Sequence, residues 1–271
     1  MAHVDLASAK LTLRDLHVLE KIKDPESDPS LLVQVDPSLP KDPHISDPSE
    51  YERVAQQERE IILSLQKLEM SGRPASEIIQ GYRDSVSRLG QLIDSHPRYA
   101  SARNNRAQAL RRLYGDGMLV ANAPRNPDAL LSAQGTVADA DERRQAAQTA
   151  MEDLDRAIAL LTPMTAVRAK LSPQVARTLS NAHTQRAAIY LATSKLVAGE
   201  SEERVVDVER PEKGWSKLDF EERASRDFAM GGRYGNEIAR ALAVSTNPTA
   251  KLCGQMVREA MKKEYGPAFS A

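Results

Sequence analysis

Residues 98–116 read RYASARNNRAQALRRLYGD, and residues 151–161 read MEDLDRAIALL. In the first run Ala107 is a small residue inside a helical pattern, Leu113 and Tyr114 precede a Gly-Asp turn, and Gly115 is a helix stop. In the second run Leu154 and Ala157, with Ala150 just before it, share a face with Ile158 and Leu161, and Pro163 follows its end. Two helices cross closely only where one presents Ala or Gly and the other a larger apolar knob. The two runs therefore predict a helical pair, about 98–163, interrupted by a loop over 116–137 that reads as surface.

The same pattern recurs on both sides. Upstream, Asp47 is an N-cap, Pro48 suits the first helical position and Glu50 stands where a capping-box carboxylate belongs. A helix to about Met70 carries Val54, Ile61, Leu65 and Leu68. After Ser71-Gly72-Arg73-Pro74, a second carries Ile78, Tyr82, Val86, Leu89 and Ile93 as far as His96-Pro97. This is repeat 1, about 48–97. Downstream, Ser172-Pro173 opens a helix with Val175, Leu179, Ala187, Ile189 and Tyr190, and a charged loop over 199–216 separates it from a partner helix. These form repeat 3, about 173–232, followed by capping helices over about 236–264, in which Leu252, Met256 and Met261 mark the inner face and Cys253 reads as a small core residue. No segment alternates convincingly at period two. Helical pairs recurring with small residues at fixed places predict an all-α superhelix of about three hairpins plus a C-terminal cap.

Before residue 48 the character changes. Residues 1–23 contain one short amphipathic helix, LTLRDLHVLEKIK over 11–23, with Leu13, Leu16, Leu19 and Ile22 on a narrow stripe. Residues 24–47, together with Pro48, contain five Asp-Pro steps, which remove amide donors and push the preceding residue out of the helical region. This linker is either a loose tether or a strand folded back over the domain.

Composition agrees with stacked helices and narrows the function classes. Aromatic residues are only 4% of the 271, against 41% hydrophobic and 28% charged. With a formal charge of −1 there is no basic footprint for nucleic acid. A single cysteine excludes an intramolecular disulfide and a CxxC metal site. The opening residues carry no continuous apolar region and no stretch is long enough to span a bilayer, so the expectation is a cytoplasmic chain, with the nucleus as the other compartment. The five histidines fall in five elements, and no HExxH, GxSxG, GxGxxG or Walker run occurs. Gly231-Gly232-Arg233-Tyr234-Gly235 follows a helix rather than a strand and reads as a helix end with left-handed glycines. A non-enzymatic binding protein with no cofactor and no metal is expected.

The order of these features resembles the tetratricopeptide repeat protein 36 family. The carriers are LHVLEKIKDPESDP, the ARNNRAQA run at Ala102–Ala109, MEDLDRAI, the Asp227-Phe228-Ala229 helix and NPTAKLCGQMV at Asn247–Val257. The resemblance covers most of residues 11–262; the longer Asp-Pro linker and the loops at 116–137 and 199–216 depart from it. It implies that the first helices of the repeats line a groove for a protein or peptide partner. The groove residues would be Asn104, Asn105, Gln108, Arg111 and Arg112 on one helix and Asn181, Thr184 and Gln185 on another. Side-chain amides can hold an extended backbone without reading its sequence. Arginines add forked donors for a carboxylate.

The resemblance also implies a co-chaperone-like adaptor for heat-shock protein 70 class chaperones and a link to tyrosine catabolism through protection of one of its enzymes; the chain is expected to be a monomer. Chaperone-binding tetratricopeptide domains grip a C-terminal carboxylate with Lys, Asn and Arg side chains; here Asn105 is the one that matches. Ile62, Gln66, Asn181 and Gln185 stand at the other four places. The other reading, an architectural scaffold acting by self-association, is disfavoured by the polar face of 248–264.

Overall fold

A computed structural model describes residues 33–124, 126, 128–133, 135, 139–163, 170–198 and 204–265. Helices in the described residues are α1 (Pro48–Met70), α2 (Ala75–Ser95), α3 (Ala100–Tyr114), the single-turn α4 (Leu130–Ala133), α5 (Ala140–Leu161), α6 (Pro173–Val197), α7 (Lys217–Arg233), α8 (Glu237–Thr246) and α9 (Pro248–Tyr265). Two short strands, β1 (Gln34–Val35) and β2 (Lys170–Leu171), pair in parallel. The fold is an all-α, tetratricopeptide-like superhelix. The helix expected over 11–23 and the first part of the linker lie outside the described residues.

Caps set the helix starts. The Asp47 side chain accepts from the Ser49 amide ahead of Pro48, Ser172 accepts from the Val175 amide ahead of Pro173, and Ser216 and Asp219 form a reciprocal capping box on α7. Successive helices pack as α1 on α2, α2 on α3, α3 on α5, α5 on α6, α6 on α7 and α7 on α8. Alanines occupy the crossings: Ala100, Ala102, Ala107, Ala147, Ala150, Ala182 and Ala187 are fully buried, so helix axes approach without a void. Larger knobs, Leu89, Leu113, Met151, Leu154, Leu179, Ile189, Phe220 and Phe228, fill the space between.

Several sequence readings change once the packing is seen. The described part of the linker folds back over the domain: the Asp36 amide donates to the Leu171 carbonyl at 2.8 Å, and the Ser172 hydroxyl donates to the Lys41 carbonyl at 3.4 Å. Asp42 and Ile45 are buried. The 116–137 insertion is not merely surface. Met118, Leu119 and Val120 are buried, and Val120 bridges Val206 in the charged loop, so each loop shields apolar side chains the other would expose. Gly231 and Gly232 lie inside α7, where their role is close approach; a Cβ on Gly232 would stand 2.9 Å from the Arg240 Cα of α8. Gly235 alone of that run is left-handed, at φ 106°. Helix α9 keeps little packing: Leu252 and Met256 are exposed, as is Cys253, contrary to the inner face and core cysteine read from the sequence. Among the described residues no helix is long and apolar enough to cross a membrane.

Candidate functional site

The first helix of each hairpin, α1, α3 and α6, borders one hollow made of two adjoining cavities. One, of about 510 Å³, lies among Tyr51, Glu58, Arg59, Asn104, Arg177 and Asn181. The other, of about 520 Å³, lies among Glu69, Tyr82, Ala109, Arg111, Arg112 and Asp128. Ile62, Gln66, Asn105 and Gln108 line both cavities, which makes the hollow continuous from α1 across α3.

Helical spacing explains this membership. Gln108 stands four residues after Asn104, three after Asn105, and three and four before Arg111 and Arg112 along α3, so the five share a side of the helix distinct from the stripe of Ala107, Leu110 and Leu113 that enters the core. Of the residues expected to touch a ligand, Gln108 and Asn181 are exposed and form no hydrogen bond among the described residues. Gln66, on α1, is in the same state. These three amides keep both donors and their acceptor free.

The other expected residues are engaged. Arg111 donates from Nε to Asp116 Oδ1 at 2.7 Å. Arg112 donates to Glu69 at 3.4 Å and to the Asp128 carbonyl. Asn104 is buried and accepts from the Gln185 amide on Oδ1 at 2.8 Å, so Gln185 braces Asn104 from α6. Thr184 points away from the hollow: its hydroxyl donates to the Ser180 carbonyl at 2.7 Å and accepts from Asn236 at 3.2 Å. Asn105, the residue matching a carboxylate clamp, donates its amide to Glu58 Oε1 at 2.7 Å.

Glu58 was not singled out from the sequence. Its signal was there, because it falls in line with Val54, Ile61 and Leu65 on the apolar stripe of α1. It is buried, and its second oxygen accepts from the Tyr99 hydroxyl at 2.6 Å and the Ser101 hydroxyl at 3.0 Å. Burial pushes its carboxyl up and the three donors pull it down, with a net shift above the ordinary glutamate range. Tyr99 is pushed up in turn, first by burial and then by the Glu58 charge. The wall of the hollow is thus already provided with a carboxylate, which repels a second one.

The arginines outside the hollow are structural. Arg103 and Arg106 of α3 converge on Asp153 of α5, with Arg106 Nε and Nη2 at 2.6 and 2.9 Å from its two oxygens. Asp153 is almost fully buried, and an ion so placed persists only when paired. The two arginines of the ARNNRAQA run therefore fasten α3 to α5 and are not available to a ligand.

Among the described residues no group of three or more His, Cys, Asp or Glu side chains could hold a metal ion.

No family model and no solved structure matches the chain significantly. Among curated proteins, the L-tyrosine degradation gene cluster protein hmgX of Aspergillus fumigatus is 38% identical over 257 residues, which span 94% of this chain and 93% of that protein. A tetratricopeptide repeat protein 36 homolog from Drosophila pseudoobscura pseudoobscura is 26% identical over 93% of this chain and 94% of its own length. Its Drosophila melanogaster counterpart is 26% identical over 94% and 97%. With similarity running the length of both partners, the chain belongs to the family of the L-tyrosine degradation gene cluster protein hmgX, and over the same length it is similar to the tetratricopeptide repeat protein 36 homologs.

Proposed function

We propose that this protein is a non-enzymatic adaptor that holds an extended segment of a protein partner in the hollow between α1, α3 and α6, and that the partner belongs to tyrosine breakdown. The observation that carries the reading is the set of amides without a hydrogen bond among the described residues, Gln66, Gln108 and Asn181, along a continuous hollow. Amides that donate and accept together suit a peptide backbone, whose N–H and C=O groups alternate. Arg59 and Arg177, exposed on the rim of the same hollow, add donors for carbonyl groups or acidic side chains. The name of the 38% identical relative, an L-tyrosine degradation gene cluster protein, supports the choice of partner.

A heat-shock protein 70 class chaperone, gripped by its C-terminal carboxylate, is the lesser reading. Asn105 is the one clamp residue present, and its amide is already given to Glu58.

The test is calorimetric titration of the full chain with the purified enzymes of the tyrosine-degradation pathway, one at a time, and with a C-terminal heat-shock protein 70 peptide. One enzyme is expected to bind at micromolar affinity or better. A Gln66→Ala, Gln108→Ala, Asn181→Ala variant of unchanged helicity is expected to bind it at least about tenfold more weakly, about 1.4 kcal/mol. Equal binding by that variant, or binding by the peptide alone, overturns the proposal. So does a stable dimer at low micromolar concentration whose self-association blocks the hollow.

A further inference from the structure

The hollow does not end at α6. Arg177 and Asn181, one turn apart on that helix, line its 510 Å³ cavity and also border a third cavity, of about 540 Å³. That third cavity lies between α6, the turn from α7 to α8, and strand β1. Its polar groups are mostly spent. The Ser180 hydroxyl donates to the Gly231 carbonyl at 2.8 Å. Asn236 accepts from the Ala239 amide at 3.0 Å and donates to Thr184 at 3.2 Å. Glu237 pairs with Arg240 at 3.5 Å. Arg177 and Asn181, at the edge shared with the hollow, are exposed and form no hydrogen bond or ion pair among the described residues. The rest of the lining is apolar. Val35 and Ile238 are 53% and 73% exposed, although each stands on fixed backbone. Val35 is paired with Leu171 across the two strands, and Ile238 precedes the fully buried Ala239 of a capped helix. The Tyr234 ring between them in sequence is stacked on buried His183, centroids 5.8 Å apart.

We propose that the partner segment held in the hollow runs on past α6 into this third cavity, a step that rests on the peptide reading above. It sets an acidic side chain against Arg177 and a large apolar one, Leu, Ile or Phe, between Val35 and Ile238. Continuity selects this occupant, because a chain lying against Arg177 and Asn181 already touches both cavities. Charge fixes the order of its side chains. Arg177 and the exposed Arg59 offer cations on the hollow side, whereas the Glu237 carboxylate on the α8 side repels a second acid there. Burial supplies the apolar preference. A ligand side chain between Val35 and Ile238 takes both out of water at little ordering cost, since their backbones are already held. The partner is therefore recognised by an acidic residue with a large apolar neighbour, and Val35 and Ile238 determine that specificity.

The probe is a random peptide library displayed on phage and selected on the immobilised full chain. Enriched peptides are expected to share an acidic residue close to a large apolar one. A synthetic peptide of the enriched sequence should bind Ile238→Asp, and separately Val35→Asp, at least about tenfold more weakly, with circular dichroism unchanged. The same peptide with its apolar residue replaced by Ala should bind Ile238→Asp and wild type alike, which ties the loss to that one contact. Gln66→Ala, Gln108→Ala, which leaves the third cavity untouched, separates the two readings. If it binds the peptide as tightly as wild type while Ile238→Asp does not, the hollow reading fails and the third cavity stands. Equal binding by Ile238→Asp and Val35→Asp overturns the extension, even if their melting temperatures fall, a result that would make another part of this chain the occupant. Enrichment without an apolar residue overturns it too, as does a dimer in light scattering that Ile238→Asp abolishes. A library that yields no binder overturns both readings.

Discussion

Arg186 lays its guanidinium fork on both oxygens of Asp227, Nε on Oδ2 and Nη2 on Oδ1, each at 2.7 Å. His183, three residues earlier on α6, meets the same carboxylate through Nδ1 at 2.8 Å. The hairpin before it does the same with Arg103, Arg106 and Asp153. In both hairpins a basic residue and an arginine three positions after it converge on one buried aspartate of the partner helix, and a buried alanine, Ala107 or Ala187, follows the arginine. The alanine admits the partner helix, and the fork fixes its register.

Removing one fork should therefore cost far more than an exposed ion pair would. Arg186→Met leaves Asp227 buried with His183 as its remaining side-chain partner, and a loss of about 3–5 kcal/mol is expected from chemical denaturation midpoints. Arg186→Lys should lose less, since it keeps charge and gives up the bidentate geometry. Burial alone would push the Asp227 carboxyl up; hydrogen bonds and charges from Arg186 and His183 outweigh it and hold it below the ordinary range. Its stabilisation is present above the unfolded aspartate pKa and is lost as pH falls through the depressed folded value. An unchanged midpoint in Arg186→Met would contradict this role.

Glu58 has the opposite sign. Because its folded carboxyl sits above the ordinary glutamate range, its favourable contribution is present below the unfolded value and is lost as pH rises through the folded one. Glu58→Gln should thus gain on wild type as pH climbs from about 4.3 toward neutrality, read as the difference between their denaturation free energies. A difference that is flat with pH would sink the assignment. Tyr99→Phe should destabilise by about 1–3 kcal/mol, because it takes one donor from a buried carboxylate.

Gly232→Ala is expected to lower stability by roughly 1–3 kcal/mol, since the new Cβ meets Arg240 backbone atoms at 2.9 and 3.0 Å. Gly254→Ala, in a part of α9 where a Cβ meets nothing within 4 Å, should be neutral or stabilising by up to about 1 kcal/mol. Thermal melts of the two variants side by side check the pair; equal effects would mean that α7 and α8 do not touch as described.

The capping box of α7 offers a milder test. Ser216→Ala removes the hydroxyl that accepts from the Asp219 amide at 3.3 Å and should cost about 1 kcal/mol. Hydrogen exchange over the first turn of α7 should rise with it, and an unaffected first turn would show that the cap is idle.

The sequence by itself determined the fold class. Alanine spacing, helix stops and proline caps act within one or two turns, and the NNRA and MEDLDRAI runs carry enough of that local pattern to specify a hairpin and its resemblance. It also placed Asn105 and Gln108 on the side of α3 away from the core, because helical periodicity fixes direction from spacing alone. Tertiary structure decided what each of those side chains is free to do. Asn105 is spent on Glu58, Gln185 on Asn104, and Thr184 turns toward Asn236, because partners forty to eighty residues away compete for the same donors. It likewise decided that Met118–Val120 sink inward while Leu252 and Met256 find no cover among the other described residues. Hydrophobicity states that a side chain should be covered; only the packing of distant elements determines whether there is anything to cover it.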